Sequence, residues 1–359
     1  MRRAVRAAGL AVIAALAVNC GPAPVALAGV ANGGLPGTPA GDPLAGLPWG
    51  TYSGPLDEVF PAYRSATGTD RILLGRVALA PRVRWFGAWY PDGGVRAVIR
   101  QYIANVTGGD PDVLAQAAVF RMVPWEGEAC RRQPTLAEQA GYHRWIRAFA
   151  AGIGTARMAL ILQPDLPFAQ CVPRHSTLPL RLVAQAARIF GALPHTTVYI
   201  DAGAADWLSA SRAARLLRTA GVAGVRGFAL DATHYDATAH EIAYGARIVR
   251  ALADAGVPGR HFVINTAANG RPFTYQQYHG PDFDNAAVCV TARSSRCVTL
   301  GIPPTTQVAA PRWGLPAGSR RLARRMVDAY LWIGRPWLIN QADPFDLQRT
   351  LALAATTPF

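Results

Sequence analysis

One repeated feature constrains this chain more than any other. Short apolar runs end abruptly in polar residues and recur mostly at intervals of roughly thirty to forty residues. "VRWFGAWYPD" starts at Val83, "AAVFRMVPWEGE" at Ala117, "MALILQPD" at Met158 and "TTVYIDAG" at Thr196. "RGFALDATHY" follows from Arg226, "HFVINTAANG" from His261 and "DAYLWIGRPW" from Asp328. Between them lie helix-like segments, "LPLRLVAQAARIFGAL" from Leu178 and "TAHEIAYGARIVRALADAG" from Thr238. In the second, Ile242, Ala246, Val249 and Ala253 share one face, and Gly256 is placed to end it. Fully apolar strands joined by helical crossovers pair in parallel, and about seven of them can close into a barrel. The expected fold class is therefore α/β, a distorted parallel (β/α) barrel of about seven strands; an open doubly wound sheet is the alternative that the pattern leaves.

Composition bounds the rest. With 51% apolar and 16% charged residues the chain is no disordered polymer. Arg2, Arg3 and Arg6 precede an uncharged apolar stretch from Ala8 to Val18, and Ala26-Leu27-Ala28 offers a cleavage site, so residues 1–28 read as a secretory signal peptide. An uncleaved N-terminal anchor is the alternative. Residues 29–43 form a Gly/Pro/Ala-rich lead-in, and 44–359 read as a single domain with no further membrane span. Export implies a secreted, extracellular or cell-wall-associated protein. It leaves four cysteines, expected to pair as Cys130 with Cys171 and Cys289 with Cys297 among the three pairings that four allow. No C-x-x-C and no histidine pair stands at zinc spacing, so neither metal nor cofactor is expected. All 36 basic residues are arginine, and loss of the three in the leader takes the formal charge from +14 to +11. Such a surface suits association with an acidic envelope polymer. The arginines are dispersed and carry no nucleic-acid-binding signature, so nucleic acid is not an expected partner. G-x-G-x-x-G, Walker and G-x-S-x-G motifs are missing as well.

A parallel barrel brings the C-terminal ends of its strands to one rim. Asp165, Asp201, Asp231, Asn265 with Asn269, and Arg335 with Asn340 would meet there from distant parts of the chain. Any one of these aspartates alone reads as a helix cap or turn former; the set points to a site. Carboxylates beside tryptophans suit glycoside hydrolysis, in which one acid protonates the leaving oxygen, a second group helps water attack and aromatic faces hold sugar rings. Trp85, Trp125, Trp207, Trp332 and Trp337 lie at or just beyond the strand ends.

"LILQPD", "VYIDAGAADW", "GFALDATHY", "FVINTAANG" and "DAYLWIGRPW" occur in the order, and at roughly the spacing, of glycoside hydrolase family 6. The chain resembles that family over about residues 42 to 340. The resemblance implies a distorted parallel barrel and inverting, metal-free hydrolysis of β-1,4-glucans by a cellobiohydrolase- or endoglucanase-like enzyme. Asp165 takes the place of the proton-donating acid of "EPD", and Asp201 that of the organising aspartate of "DAG". Trp207 matches a sugar-contacting tryptophan, Tyr235 the tyrosine of "NY", Asn269 the asparagine of "NG" and Trp332 the tryptophan of "WVKP". Trp85, Asp231, His234 and Arg335 complete the expected substrate contacts. Cys130 and Cys171 stand where the family bridges its acid strand.

The chain departs from the pattern at several points. Gln163 replaces a glutamate, Asp231 and His234 replace asparagines, and Gly334 replaces a lysine, with Arg335 beside it. The aspartate of "RDC" has no direct counterpart; Ala129 precedes the cysteine and Glu128 lies one residue further back, as the substitute expected to raise the pKa of the acid. The family's proposed base position holds Asn340, and Asp343 is the nearby carboxylate that would assist water. The function expected is a secreted inverting glycosidase acting on a β-linked glucan or related cell-wall polysaccharide. The alternative is a catalytically degenerate carbohydrate-binding protein on the same barrel.

Overall fold

In the computed structural model, residues 41–359 are described; the expected signal peptide, Cys20 and most of the lead-in lie outside them. The strands form where the apolar runs predict them: β1 (Arg84–Gly87), β2 (Ala115–Phe120), β3 (Met158–Leu162), β4 (Thr196–Asp201), β5 (Gly227–Leu230), β6 (His261–Asn265) and β7 (Val327–Leu331). All neighbours pair in parallel, in chain order from β1 to β7. The sheet curls until its edges meet beyond the strands, where the Val83 N–H donates to the Trp332 carbonyl at 2.9 Å. This is a curled half-barrel with a seam, as the motif order implied.

Alternation along the strands builds two cores. Ala118, Ala159, Ile161, Tyr199, Ala229, Val263, Ala329 and Leu331 point into the barrel, where many alanines fit a narrow interior. Leu160, Leu162, Ile200, Phe228, Leu230 and Ile264 face outwards into the helix layer. There the helices Leu136–Ile153, Leu178–Gly191 and Thr238–Asp254 cover them, each presenting an apolar face. The first begins with a capping box in which Thr135 and Glu138 satisfy each other's backbone donors. Gly227 opens β5 because a Cβ there would run into the His261 carbonyl of the adjoining strand. Both expected disulfides are present, and Cys130–Cys171 ties the loop after β2 to the turn after β3. Among the described residues no helix is long and apolar enough to cross a membrane.

Candidate active site

Backbone strain concentrates where the strands stop. Gln163, Asp165 and Asp231, just beyond β3 and β5, all have left-handed φ angles, as do Glu126, Asn340 and Gln341 on neighbouring loops. Non-glycine residues hold such angles when their surroundings impose them. Around Asp165 the constraints are visible. The Met122 N–H donates to the Gln163 side chain at 3.1 Å, and the Trp125 indole donates to the Pro164 carbonyl at 3.1 Å. The Thr233 hydroxyl, from the loop after β5, donates to the Asp165 carboxyl at 2.7 Å.

Asp165 is nearly sealed from solvent and forms no ion pair with an arginine among the described residues. Burial therefore lifts its pKa to about 7, against the Thr233 hydrogen bond, and the negative charge of Glu126 adds to the rise. Asp201, at the end of β4, is fully buried and accepts from the Leu166 and Gly203 N–H groups at 3.3 and 3.0 Å. It is held well above the usual carboxylate range, first by burial and then by the charge of Asp165. Since Leu166 follows Asp165 directly, Asp201 holds the turn that carries Asp165. Asp231 is raised by burial and by Glu241, which accepts from the Ala205 N–H at 2.7 Å. Asp231 accepts from the Asp236 N–H and faces the loop backbone.

A cleft of about 380 Å³ opens beside the seam, lined among others by Trp85, Trp89, Glu58, Arg84, Arg335 and Asp343. The Arg335 guanidinium lies 4.7 Å from the Trp85 ring centre, and Trp85 anchors itself by donating to the Ile333 carbonyl at 2.7 Å. Asp165 does not line this cleft. The two are joined by Gln341, whose side-chain amide donates to the Thr233 carbonyl at 2.9 Å, while Ala342 and Asp343, next in the chain, form cleft wall.

Several expected residues take other places. Glu128 points outwards, with its carboxylate accepting from Arg132 at 2.9 Å and its side chain 48% exposed. The glutamate of this turn whose charge reaches Asp165 is Glu126, two residues earlier, with a smaller contribution from Asp284. Tyr235, Asn269 and Trp332 are buried. The Tyr235 hydroxyl donates to the Phe283 and Asp284 carbonyls, Asn269 donates to the Asp236 carbonyl at 2.9 Å, and Trp332 donates to the Ile302 carbonyl at 3.0 Å. They shape the loops that form the site. Trp207 is half-buried and carries the His234 ring stacked on it, with centroids 4.8 Å apart. His234 in turn reaches Asp206 at 2.7 Å. Asn340 is exposed and Asp343 is exposed on the cleft wall. Sequence reasoning missed Thr233, Glu126, Asp206 and Asp284; the first three lie inside "LDATHY", "PWEGE" and "DAGAADW", and no motif pointed to Asp284. Among the described residues no three His, Cys, Asp or Glu side chains come together as metal ligands.

A parallel half-barrel with buried carboxyls at the ends of β3, β4 and β5 and an aromatic cleft at its seam defines a class of sugar-handling proteins. The sequence profile described as Glycosyl hydrolases family 6 matches residues 50–337, and the chain belongs to that family. Endoglucanase A of Cellulomonas fimi is 31% identical over 226 residues, 62% of this chain and 47% of that protein. Endoglucanase 1 of Streptomyces halstedii is 29% identical over 56% of this chain and 63% of its own length. The matched region thus spans about half to two thirds of these relatives. The endoglucanase Cel6 of Mycobacterium tuberculosis, solved with methyl-cellobiosyl-4-deoxy-4-thio-β-D-cellobioside, superposes with a TM-score of 0.69 at 27% identity, covering 87% of this chain and 98% of its own. The catalytic core of the Chaetomium thermophilum cellobiohydrolase Cel6A superposes at 0.65 with 18% identity, over 89% of this chain and 99% of its own, and shares the fold.

Proposed function

We propose that this chain is a secreted glycosidase that cleaves a β-linked glucan or related cell-wall polysaccharide with inversion, using Asp165 as the proton donor. One observation carries the reading: a buried carboxyl on the rim whose pKa of about 7 keeps it protonated in mildly acidic to neutral water. Asp165 gives its proton to the departing glycosidic oxygen while Thr233 and the turn fixed by Asp201 hold it in place. Water attacks from the opposite face, where an inverting enzyme needs room between its two carboxyl groups. Asp343 is the carboxylate on the cleft wall that serves there, and Arg335 on Trp85 contacts the sugar chain. The cello-oligosaccharide bound by the Mycobacterium tuberculosis neighbour supports a β-linked glucan as the substrate class. The leader and the basic surface support export and retention at an acidic envelope.

Asn340, at the family's base position, favours a second reading, a carbohydrate-binding protein without turnover. A screen of the purified protein against soluble β-glucans, xylan and envelope polysaccharides, scoring reducing ends and product anomer, separates the two. In the first reading Asp165→Asn loses on the order of 10³-fold in kcat and keeps binding. Full turnover by that variant refutes the donor assignment, and binding without any release by the wild type establishes the second reading.

A further inference from the structure

His234 and Asp206 form a second ionisable pair on the rim, and donation by Asp165 leaves it without a role. The Asp206 side chain is only 2% exposed, and both its oxygens are engaged: one faces His234 Nδ1 at 2.7 Å, the other accepts from the Tyr275 N–H at 2.6 Å. This carboxylate fixes Nδ1 as the protonated nitrogen. The imidazole is clamped by stacking on Trp207 and by the edge of Phe283, with ring centres 5.1 Å apart. Nε2 has no partner among the described residues. An imidazole anchored through Nδ1 to a buried carboxylate, with its other lone pair free, is built to take up and hand on a proton. It also lies near the acid in space, since Thr233, which donates to Asp165 at 2.7 Å, is the residue before it in the chain. The family's asparagine at this position could carry no proton.

We propose that His234, oriented by Asp206, is the proton-exchange residue that recharges Asp165 after each bond cleavage; the inference rests on Asp165 being the donor. Cleavage leaves Asp165 as a carboxylate, its proton now on the departing hydroxyl. The imidazolium then gives its Nε2 proton to that carboxylate, directly or across one water, and becomes neutral. Solvent returns a proton to Nε2, and the proton lost by the attacking water leaves through the base, so the cycle balances. The charged groups that face this imidazole are Asp206 after β4, Asp165 after β3 and Asp284 on the loop between β6 and β7. Around them, Glu126 bears on Asp165, Asp282 on Asp284, and Asp236, itself touched by His240, lies near Asp206.

The test uses the full chain and its His234→Asn, Asp206→Asn and Asp165→Asn variants. Each acts on a soluble polysaccharide that the wild type hydrolyses and on 2,4-dinitrophenyl β-cellobioside, whose leaving group departs unprotonated. On the polysaccharide, His234→Asn is expected to lose about tenfold in kcat with KM unmoved, and added imidazole should restore turnover saturably. Asp206→Asn should show a smaller loss in the same direction, and the dinitrophenyl substrate should be spared. Unchanged kcat in His234→Asn, with Asp165→Asn inactive, overturns the exchange role and leaves the donor assignment intact. An equal loss on both substrates that imidazole does not relieve overturns it too, and assigns His234 to packing on Trp207. Retained activity in Asp165→Asn would instead remove the donor on which the inference rests.

Discussion

The two ends of the barrel each bury an aspartate, and they treat it in opposite ways. At the N-terminal end of the strands, Asp328 of β7 is completely buried but receives a two-pronged contact from Arg226, with both N–O distances 2.8 Å. The Tyr199 hydroxyl donates to it at 2.7 Å and His261 lies at 3.1 Å. Burial opposes ionisation there, yet Arg226, then His261 and Tyr199, outweigh it and carry Asp328 below the ordinary carboxylate value. Asp42, close by, is driven up to about 8, first by burial and then by the charge of Asp328. At the opposite rim Asp165 is similarly hidden, but a neutral hydroxyl takes the place of the guanidinium and its pKa climbs to about 7. Burial alone therefore does not keep a carboxyl protonated. The nearest donor tips the balance: a guanidinium holds Asp328 ionised, and a neutral hydroxyl leaves Asp165 its proton.

Three experiments press on this contrast. The largest effect belongs to Arg226→Leu, which strands the Asp328 charge and should cost about 3–5 kcal/mol in urea unfolding, while the pH profile of turnover stays in place. A melt indistinguishable from wild type would remove the distinction between the two ends. Next comes Asp165→Asn, which should stabilise the protein. Between the ordinary value of 3.8 and about 7 the folded chain holds a proton on Asp165 that the unfolded chain releases, so stability falls as pH rises through that window. The variant should therefore gain about 4 kcal/mol over wild type at pH 8 and nothing at acid pH below the unfolded value. The smallest change is expected from Thr233→Val. The lost hydrogen bond favoured the carboxylate, so the alkaline limb of kcat/KM, expected near pH 7 in the wild type, should move up by roughly half a unit. A downward shift would mean that Thr233 supports the protonated form.

Much of the scaffold was legible because strand and crossover patterns are local. "MALIL" is apolar throughout because β3 is covered on both faces, and the polar residues that break off each run mark the rim. That rule places Asp165, Asp201 and Asp231 at or just past strand ends, where the structure has them. Glu128 was misplaced because Glu126 and Glu128 are equivalent by composition, and only the turn after the Trp125 contact separates them. Tyr235, Asn269 and Trp332 matched motif positions, but a motif does not show whether a side chain faces a cleft or a loop backbone.

From sequence alone, this protein was already committed to parallel strands, to a rim with aspartates and tryptophans on it, and to cysteines able to pair, since apolar period, strand-end chemistry and residue type are written along the chain. Which aspartate would hold a proton depended on groups brought together only by folding: Thr233 from beyond β5 on Asp165 from beyond β3, and Arg226 on Asp328 across the opposite end. Those partners lie 68 and 102 residues apart, and the balance between desolvation and one donor at each carboxyl exists only once the sheet has curled.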